Sequence, residues 1–373
     1  MKLPIARLVF AFALLLLHPI TNADPLKAWG YVGWWLPNGW RTVPLGEFER
    51  ILFFDIKIKS DGSIAERNGW PERWTELIQT AKDSGTPIDL TLTLMDLADF
   101  RSLFWSKSAI QKLLDESVQL ASQPEVSGIH LDVEIYDAID PVAQQGFRDF
   151  VKSLGERLHM LDQPKAISVF LPIGGRSQLY DRATLQQVDR IVIQGYDAHW
   201  LESKFAGPVA PLDGPSALTW KKAVKLGSDL EIPAKKILMG FPLYGYEWRV
   251  KSPALHGATI GKGISTAFAP MPVELAPDFQ VNVQSRVREH GATYHPISGS
   301  SSYQFKNKNG QFIEGWFDDW WTLSKKSDYL VESNIGGIAF FLLGYDDGQL
   351  VNYFFQRQKK KFIAPSDSKT TSH

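Results

Sequence analysis

The stretch VSGIHLDVEIYD, Val126 to Asp137, sets His130, Asp132 and Glu134 at alternating positions between Ile129, Leu131, Val133 and Ile135. Alternation is the pattern of a β-strand, whose successive side chains point to opposite faces. A half-exposed antiparallel strand with an ordinary solvated face is one reading of it. The neighbouring strand signals favour another, because they require both faces to be covered. Such runs recur at Ala28 (AWGYVGWW), Arg50 (RILFFDIKI), Pro87 (PIDLTLTLM), Val126, Ala166 (AISVFLPI), Val188 (VDRIVIQGYD), Lys236 (KILMGFPLYG) and Ile335 (IGGIAFFLL). Between several of them lie amphipathic stretches, such as those starting at Ala109 and Pro141. Strands alternating with helices over this length predict an α/β fold, a closed (β/α)8 TIM barrel rather than a doubly wound sheet. In that barrel His130, Asp132 and Glu134 face the axis. Active sites sit at the C-terminal ends of barrel strands, so Glu134 reaches the open cleft with Asp132 one layer beneath.

Two stretches break the rhythm. Residues 247–315 are longer than a crossover helix needs, rich in Gly, Ser and Pro, and contain ATYHPI and SYQFKNKNGQFIE, which read as small antiparallel strands around an Asn-Gly turn. They predict a small α+β insertion between strands 7 and 8 of a barrel spanning residues 24–358. The polar segment 359–373 reads as a disordered tail. At the other end, Lys2 and Arg7 precede the apolar run LVFAFALLLL, and TNA (Thr21–Ala23) supplies small residues for cleavage. Residues 1–23 therefore read as a signal peptide. A retained membrane anchor is the alternative, although the run is about half the ~20 residues that span a bilayer. The mature protein is expected in the periplasm or secreted, with no membrane contact after cleavage.

Composition narrows the partners. With 373 residues, 44% hydrophobic, the chain buries a large core; its 40 Lys plus Arg against 41 Asp plus Glu leave no electrostatic footprint for nucleic acid. It has no cysteine, which excludes a disulfide framework and thiolate chemistry. Histidines are not clustered at metal-ligand spacing, so neither metal nor cofactor is expected. The expected working form is a monomer.

Taken with the other motifs, the opening stretch resembles glycoside hydrolase family 18, the chitinases and endo-β-N-acetylglucosaminidases. The family signature on the fourth strand, Asp-Gly-x-Asp-x-Asp-x-Glu, reads here from Ser127 to Glu134, and its last two acids match Asp132 and Glu134. GYVGWW at Gly30, LFFDIKIKSDGSI at Leu52 and GGIAFFLLGYDDG at Gly336 extend the resemblance along the chain. QGYD at Gln194 is similar to the family's Met-x-Tyr-Asp, and GFPLYGYEW at Gly240 to its Gly-x-Pro-x-Tyr-Gly strand.

The resemblance implies cleavage of a polysaccharide containing N-acetylglucosamine by substrate-assisted retaining catalysis, which departs from the usual two-carboxylate scheme. Glu134 would protonate the glycosidic oxygen while the sugar's acetamido carbonyl attacks the anomeric carbon. Asp132 would bond the acetamido N–H and stabilise the developing charge, and Tyr196 would donate to the acetamido oxygen. Asp197 would hold the distorted sugar and the attacking water. Tyr31, His130, Gln194, Tyr244, Trp248 and Phe341 are the expected substrate-binding residues. Phe341, or its neighbour Phe340, stands where the family has a floor Trp, with less stacking area.

The departures matter too. His130 replaces the family's middle Asp; neutral, it would still bond Asp132, whereas an imidazolium would lower the Asp132 pKa. An ionisation between about pH 5 and 8 is the expected trace of it, unless burial keeps the ring neutral and His130 only packs. Ser127 replaces the first motif Asp, and the third strand reads TLMDLAD in place of the family's Gly-Gly-Trp. Trp34, Trp35, Trp40, Trp200, Trp248 and Trp316 offer themselves as sugar platforms or as core. Asp346 and Asp347 match an acidic pair better suited to helix capping than to chemistry. The missing acids also leave an alternative function, a catalytically weakened barrel that binds such glycans as a lectin.

Overall fold

The computed structural model describes residues 24–174, 179–271, 279 and 281–362. The expected signal peptide and residues 363–373 of the expected tail lie outside them. The strands in chain order are β1 (Lys27–Gly33), β2 (Arg50–Ile58), β3 (Ile64–Glu66), β4 (Ile88–Leu94), β5 (Gly128–Val133), β6 (Ala166–Leu171) and β7 (Arg190–Ile193). They continue with β8 (Ile237–Pro242), β9 (Tyr244–Val250), β10 (Ile264–Ala267), β11 (Thr293–His295), β12 (Ser300–Lys306), β13 (Phe312–Phe317) and β14 (Gly337–Phe341).

Strands β1, β2, β4, β5, β6, β7, β8 and β14 pair in parallel, and β1 bonds to both β2 and β14. That double pairing closes the sheet into the expected (β/α)8 barrel and leaves no open edge. The short β3 folds back antiparallel on β2.

Helices form at the amphipathic stretches from Ala109 and Pro141, as Lys107–Ala121 and Pro141–His159, and capping side chains start both. Asp140 accepts from the Ala143 N–H ahead of the helix Pro141–His159, with Pro141 at its first position, where a missing N–H costs nothing. That helix buries Phe147, Phe150, Val151, Leu154 and Leu158 along one face. Phe147 meets the rings of Phe104 and Tyr180, so Phe147→Ala would remove about 3–5 kcal/mol. On the barrel side, Ile129, Leu131 and Val133 of β5 are all buried, as their alternation requires.

The insertion is an antiparallel sheet of order β10-β9-β13-β12-β11 with the helix Val283–His290. Its sheet runs from Tyr244 to Phe317, beyond the expected 247–315 at both ends, because only Leu243 separates β8 from β9. Strands β12 and β13 form the hairpin expected around Asn309 and Gly310, the glycine taking the left-handed φ of 75° that the turn needs. At the C-terminus the helix Gln349–Phe362 carries Lys359, Lys360 and Lys361, so these three belong to the barrel and not to a tail. Asp346 starts that helix by accepting from the N–H groups of Gly348, Leu350 and Val351, the capping role the sequence suggested. Among the described residues no helix is long and apolar enough to cross a membrane.

Candidate active site

The floor of the site is the inward face of β5. His130 shares its level with Thr91 of β4 and Ser168 of β6, and it is fully buried. Its Nε2 lies 3.0 Å from the Tyr31 hydroxyl and its Nδ1 2.8 Å from the Ser168 hydroxyl. A neutral imidazole offers one donor and one acceptor, so one hydroxyl donates to the ring and the other accepts from it. Burial lowers the His130 pKa to about 3, which keeps it neutral across the ordinary range.

Asp132 lies two residues on, level with Thr93. It is buried, and its Oδ1 has no hydrogen-bond partner among the described residues. Burial pushes its pKa well above the carboxylate range, and the charges of Glu134 and Asp55 push the same way. Glu134 follows β5 directly, held by its backbone N–H to the Leu94 carbonyl at 3.1 Å, and is half-buried at the barrel mouth. Its pKa is also raised, first by burial and then by Asp197, while a hydrogen bond from Tyr136 at 2.6 Å opposes the shift. Burial and mutual repulsion thus both disfavour ionising these carboxyls together.

The opposite wall comes from the chain after β7. Tyr196 is buried, and its ring lies 5.8 Å from Phe341 at an interplanar angle of 30°. Asp197 takes a left-handed backbone with φ 62°, the kind of strained geometry that persists where surroundings fix it. Its Oδ1 accepts from the Tyr244 hydroxyl at 2.7 Å and the Tyr246 hydroxyl at 3.0 Å. Burial raises the Asp197 pKa and these two bonds pull it back. The result is a cleft with a carboxyl at its mouth, Glu134, a buried carboxyl beneath it, Asp132, and the rings of Tyr196 and Phe341 alongside. That donor set suits acid catalysis on an acetal.

Residues 30–346 match the sequence model of Glycosyl hydrolases family 18. The chain belongs to this family. It is 25% identical over 312 residues to the cortical fragment-lytic enzyme of Bacillus anthracis, covering 79% of this chain and 64% of that relative, so it spans less than two thirds of the relative's length. The spore cortex-lytic enzyme SleL of Bacillus cereus superposes with a TM-score of 0.70 at 19% identity, over 91% of this chain and 74% of the other. The family 18 chitinase of Cycas revoluta in complex with (GlcNAc)3 superposes with a TM-score of 0.73 at 15% identity, over 89% and 99%. At these identities the superpositions speak for the fold.

Within this family 18 barrel, several expected substrate contacts sit elsewhere than at the cleft surface. His130 and Tyr31 are sealed in the floor, no more than 1% exposed, and present no surface to a sugar. Trp248 is buried, its indole N–H donating to the Trp200 carbonyl, and Trp316 is buried with its N–H on Glu314. Trp40 is core as well. Burial thus removes these indoles as platforms; Trp34 and Trp200 are exposed, 42% and 48%. Gln194 is buried and its side-chain oxygen accepts from the Ile173 N–H, tying down the loop after β6. Phe341 is the half-buried ring facing Tyr31 and Tyr196, while Phe340 packs outward against Phe241 and Phe354.

Sequence reasoning missed Asp55, Tyr136 and Tyr246. Tyr136 and Tyr246 share the alternation of Glu134 and Tyr244 and were open to being read from it. A cavity of about 510 Å³ lined by His199, His256, His295 and Trp316 opens beside the insertion but contains none of the four carboxylates.

Proposed function

We propose that this barrel hydrolyses β-linked N-acetylglucosamine glycans, chitin, peptidoglycan or a related polysaccharide, by substrate-assisted retaining catalysis after export. The observation that carries the reading is the buried Asp132 oxygen that has no hydrogen-bond partner among the described residues, two positions before a carboxylic acid whose pKa is raised. A buried acceptor left open is costly unless something completes it. The N–H of a sugar's 2-acetamido group is a fitting donor.

The steps follow from that. Glu134 gives its proton to the glycosidic oxygen, the bond from that oxygen to the anomeric carbon breaks, and the acetamido oxygen bonds to the same carbon. Asp132, accepting from the acetamido N–H, stabilises the positive charge of the resulting oxazolinium ion. Water then attacks the anomeric carbon from the side the leaving group vacated, returns a proton to Glu134 and expels the acetamido oxygen, so configuration is retained. The Tyr196 hydroxyl, kept neutral by burial and by the surrounding carboxylates, donates to the acetamido oxygen. Asp197 orients the sugar and the water, and Phe341 lies under the ring. The names of the relatives, a cortical fragment-lytic enzyme and a chitinase in complex with (GlcNAc)3, support a substrate with this amide.

Turnover of acetylated and fully deacetylated polymer tests the reading. The acetylated polymer should be cleaved, thiazoline analogues of N-acetylglucosamine should inhibit, and the deacetylated polymer should stay intact. Equal cleavage of both would exclude the acetamido nucleophile.

A further inference from the structure

Glu134 and Tyr136 follow the end of β5 on either side of buried Ile135, and their side chains meet at the barrel mouth. The Tyr136 hydroxyl donates to Glu134 Oε2 at 2.6 Å, a short O–H···O hydrogen bond. Its ring is 41% exposed, so the pair sits at the mouth where a leaving group departs. A carboxylic acid carries its proton on one of two oxygens. An oxygen that accepts from a phenol is the carbonyl one, which leaves the acid proton on the other.

We propose that Tyr136 is a positioning residue for the general acid: by donating to Oε2 it fixes the Glu134 proton on Oε1, aimed at the glycosidic oxygen, and then stabilises the carboxylate left behind. The proposal rests on the reading of Glu134 as the acid. When Oε1 releases its proton, the electron pair stays on the carboxylate and spreads over both oxygens, and the Tyr136 bond strengthens as the acceptor becomes an anion. When Glu134 recovers a proton from the attacking water, the same bond weakens again. No group enters or leaves Tyr136 itself, whose own pKa is raised by burial and by Glu134, so it remains a donor throughout.

The other ionisable groups acting on Glu134 pull differently. Asp132 on β5 and Asp197 after β7 are carboxylates that disfavour its charge. Tyr31, Tyr180 and Tyr196 are buried hydroxyls that feel its charge in turn. Against them Tyr136 is the bond that favours the anion.

Tyr136→Phe keeps the ring and removes the hydroxyl. Carboxyl-labelled glutamate, followed by ¹³C NMR with the Glu134 signal assigned by its loss in Glu134→Gln, reads the bond without any substrate. The Glu134 pKa should rise by about one unit in Tyr136→Phe. On acetylated chito-oligosaccharides kcat should fall about 10-fold with KM little changed, and the alkaline limb of kcat/KM should move up by the same unit. An unshifted Glu134 titration overturns the proposal, and so does a shifted titration with unchanged kcat, which would leave the Tyr136 bond without a part in proton transfer. A wild-type protein inert on every acetylated glycan fails the hydrolase reading itself, in a measurement made before any variant.

Discussion

His130 and Tyr31 are joined in the sealed floor of the barrel, imidazole Nε2 to phenolic oxygen at 3.0 Å, directly beneath Asp132. Where the family motif holds a carboxylate, this chain holds a neutral ring whose two nitrogens are both occupied. The expected ionisation between about pH 5 and 8 therefore does not come from His130, because burial lowers its pKa to about 3. Asp132 instead feels the charge of a carboxylate from another strand, Asp55 of β2, which accepts from Thr93 at 2.6 Å.

The first prediction is a stability effect with a definite sign. The folded pKa of His130 lies below its ordinary value of 6.5, so the unfolded chain takes the proton first. Its contribution to stability is complete above about pH 6.5 and is lost as pH falls toward about 3, at about 1.4 kcal/mol per unit of difference. Nitrogen-15 NMR of His130 should show a neutral ring at pH 5, and the pH–rate profile of His130→Gln should keep its shape. A His130 titration near pH 6.5 contradicts this.

Asp132 carries the opposite sign. Its folded pKa is raised, so its contribution is fully present below about pH 3.8 and is lost as pH rises through the folded value. Asp132→Asn should therefore melt about 2 °C or more higher at pH 7, with the gain vanishing below pH 3.8, while turnover drops about 10²- to 10⁴-fold. Paired thermal melts at pH 7 and pH 3.5 check it. A lower melting temperature at pH 7 would show that Asp132 has a stabilising partner.

Trp34 and Trp200 are the exposed indoles that follow β1 and β7 at the C-terminal ends of the barrel strands. Trp34→Ala and Trp200→Ala should each raise KM for long acetylated oligosaccharides roughly 3- to 10-fold with little change in kcat, the loss expected from removing apolar contact area. Trp248→Ala, by contrast, should lower thermal stability, since that indole is core.

The proposed steps use protons and the substrate's own amide. Turnover in EDTA should match turnover in calcium or zinc. Loss on chelation, restored by one added metal, would require a different mechanism.

Much of this was legible because one strand carries two messages at once. On β5 the alternation of Ile129, Leu131 and Val133 with His130, Asp132 and Glu134 gave strand, barrel and cleft together, and the surplus length before Ile335 gave the insertion. Asp55 was not legible for a physical reason. Pairing of β2 with β4 changes register between Phe53 and Ile56, so Phe54 reaches the rings of Tyr31 and Phe341 while the adjacent Asp55 also turns inward to Thr93. Simple alternation places such neighbours on opposite faces. Trp248 was misplaced because its burial depends on backbone at Trp200, 48 residues away in sequence, and nothing local in GFPLYGYEW announces that cover.

Glu134→Gln tests the central claim most directly, because it removes the transferable proton and preserves shape. Reducing-end release from acetylated chito-oligosaccharides and from peptidoglycan glycan strands should fall about 10²- to 10⁴-fold, while calorimetric affinity for the same oligosaccharides and the melting temperature stay near wild type. Activity within a few-fold of wild type would contradict the assignment of Glu134 as the acid. A wild type that binds these glycans as tightly as the variant yet releases no ends would contradict hydrolysis itself.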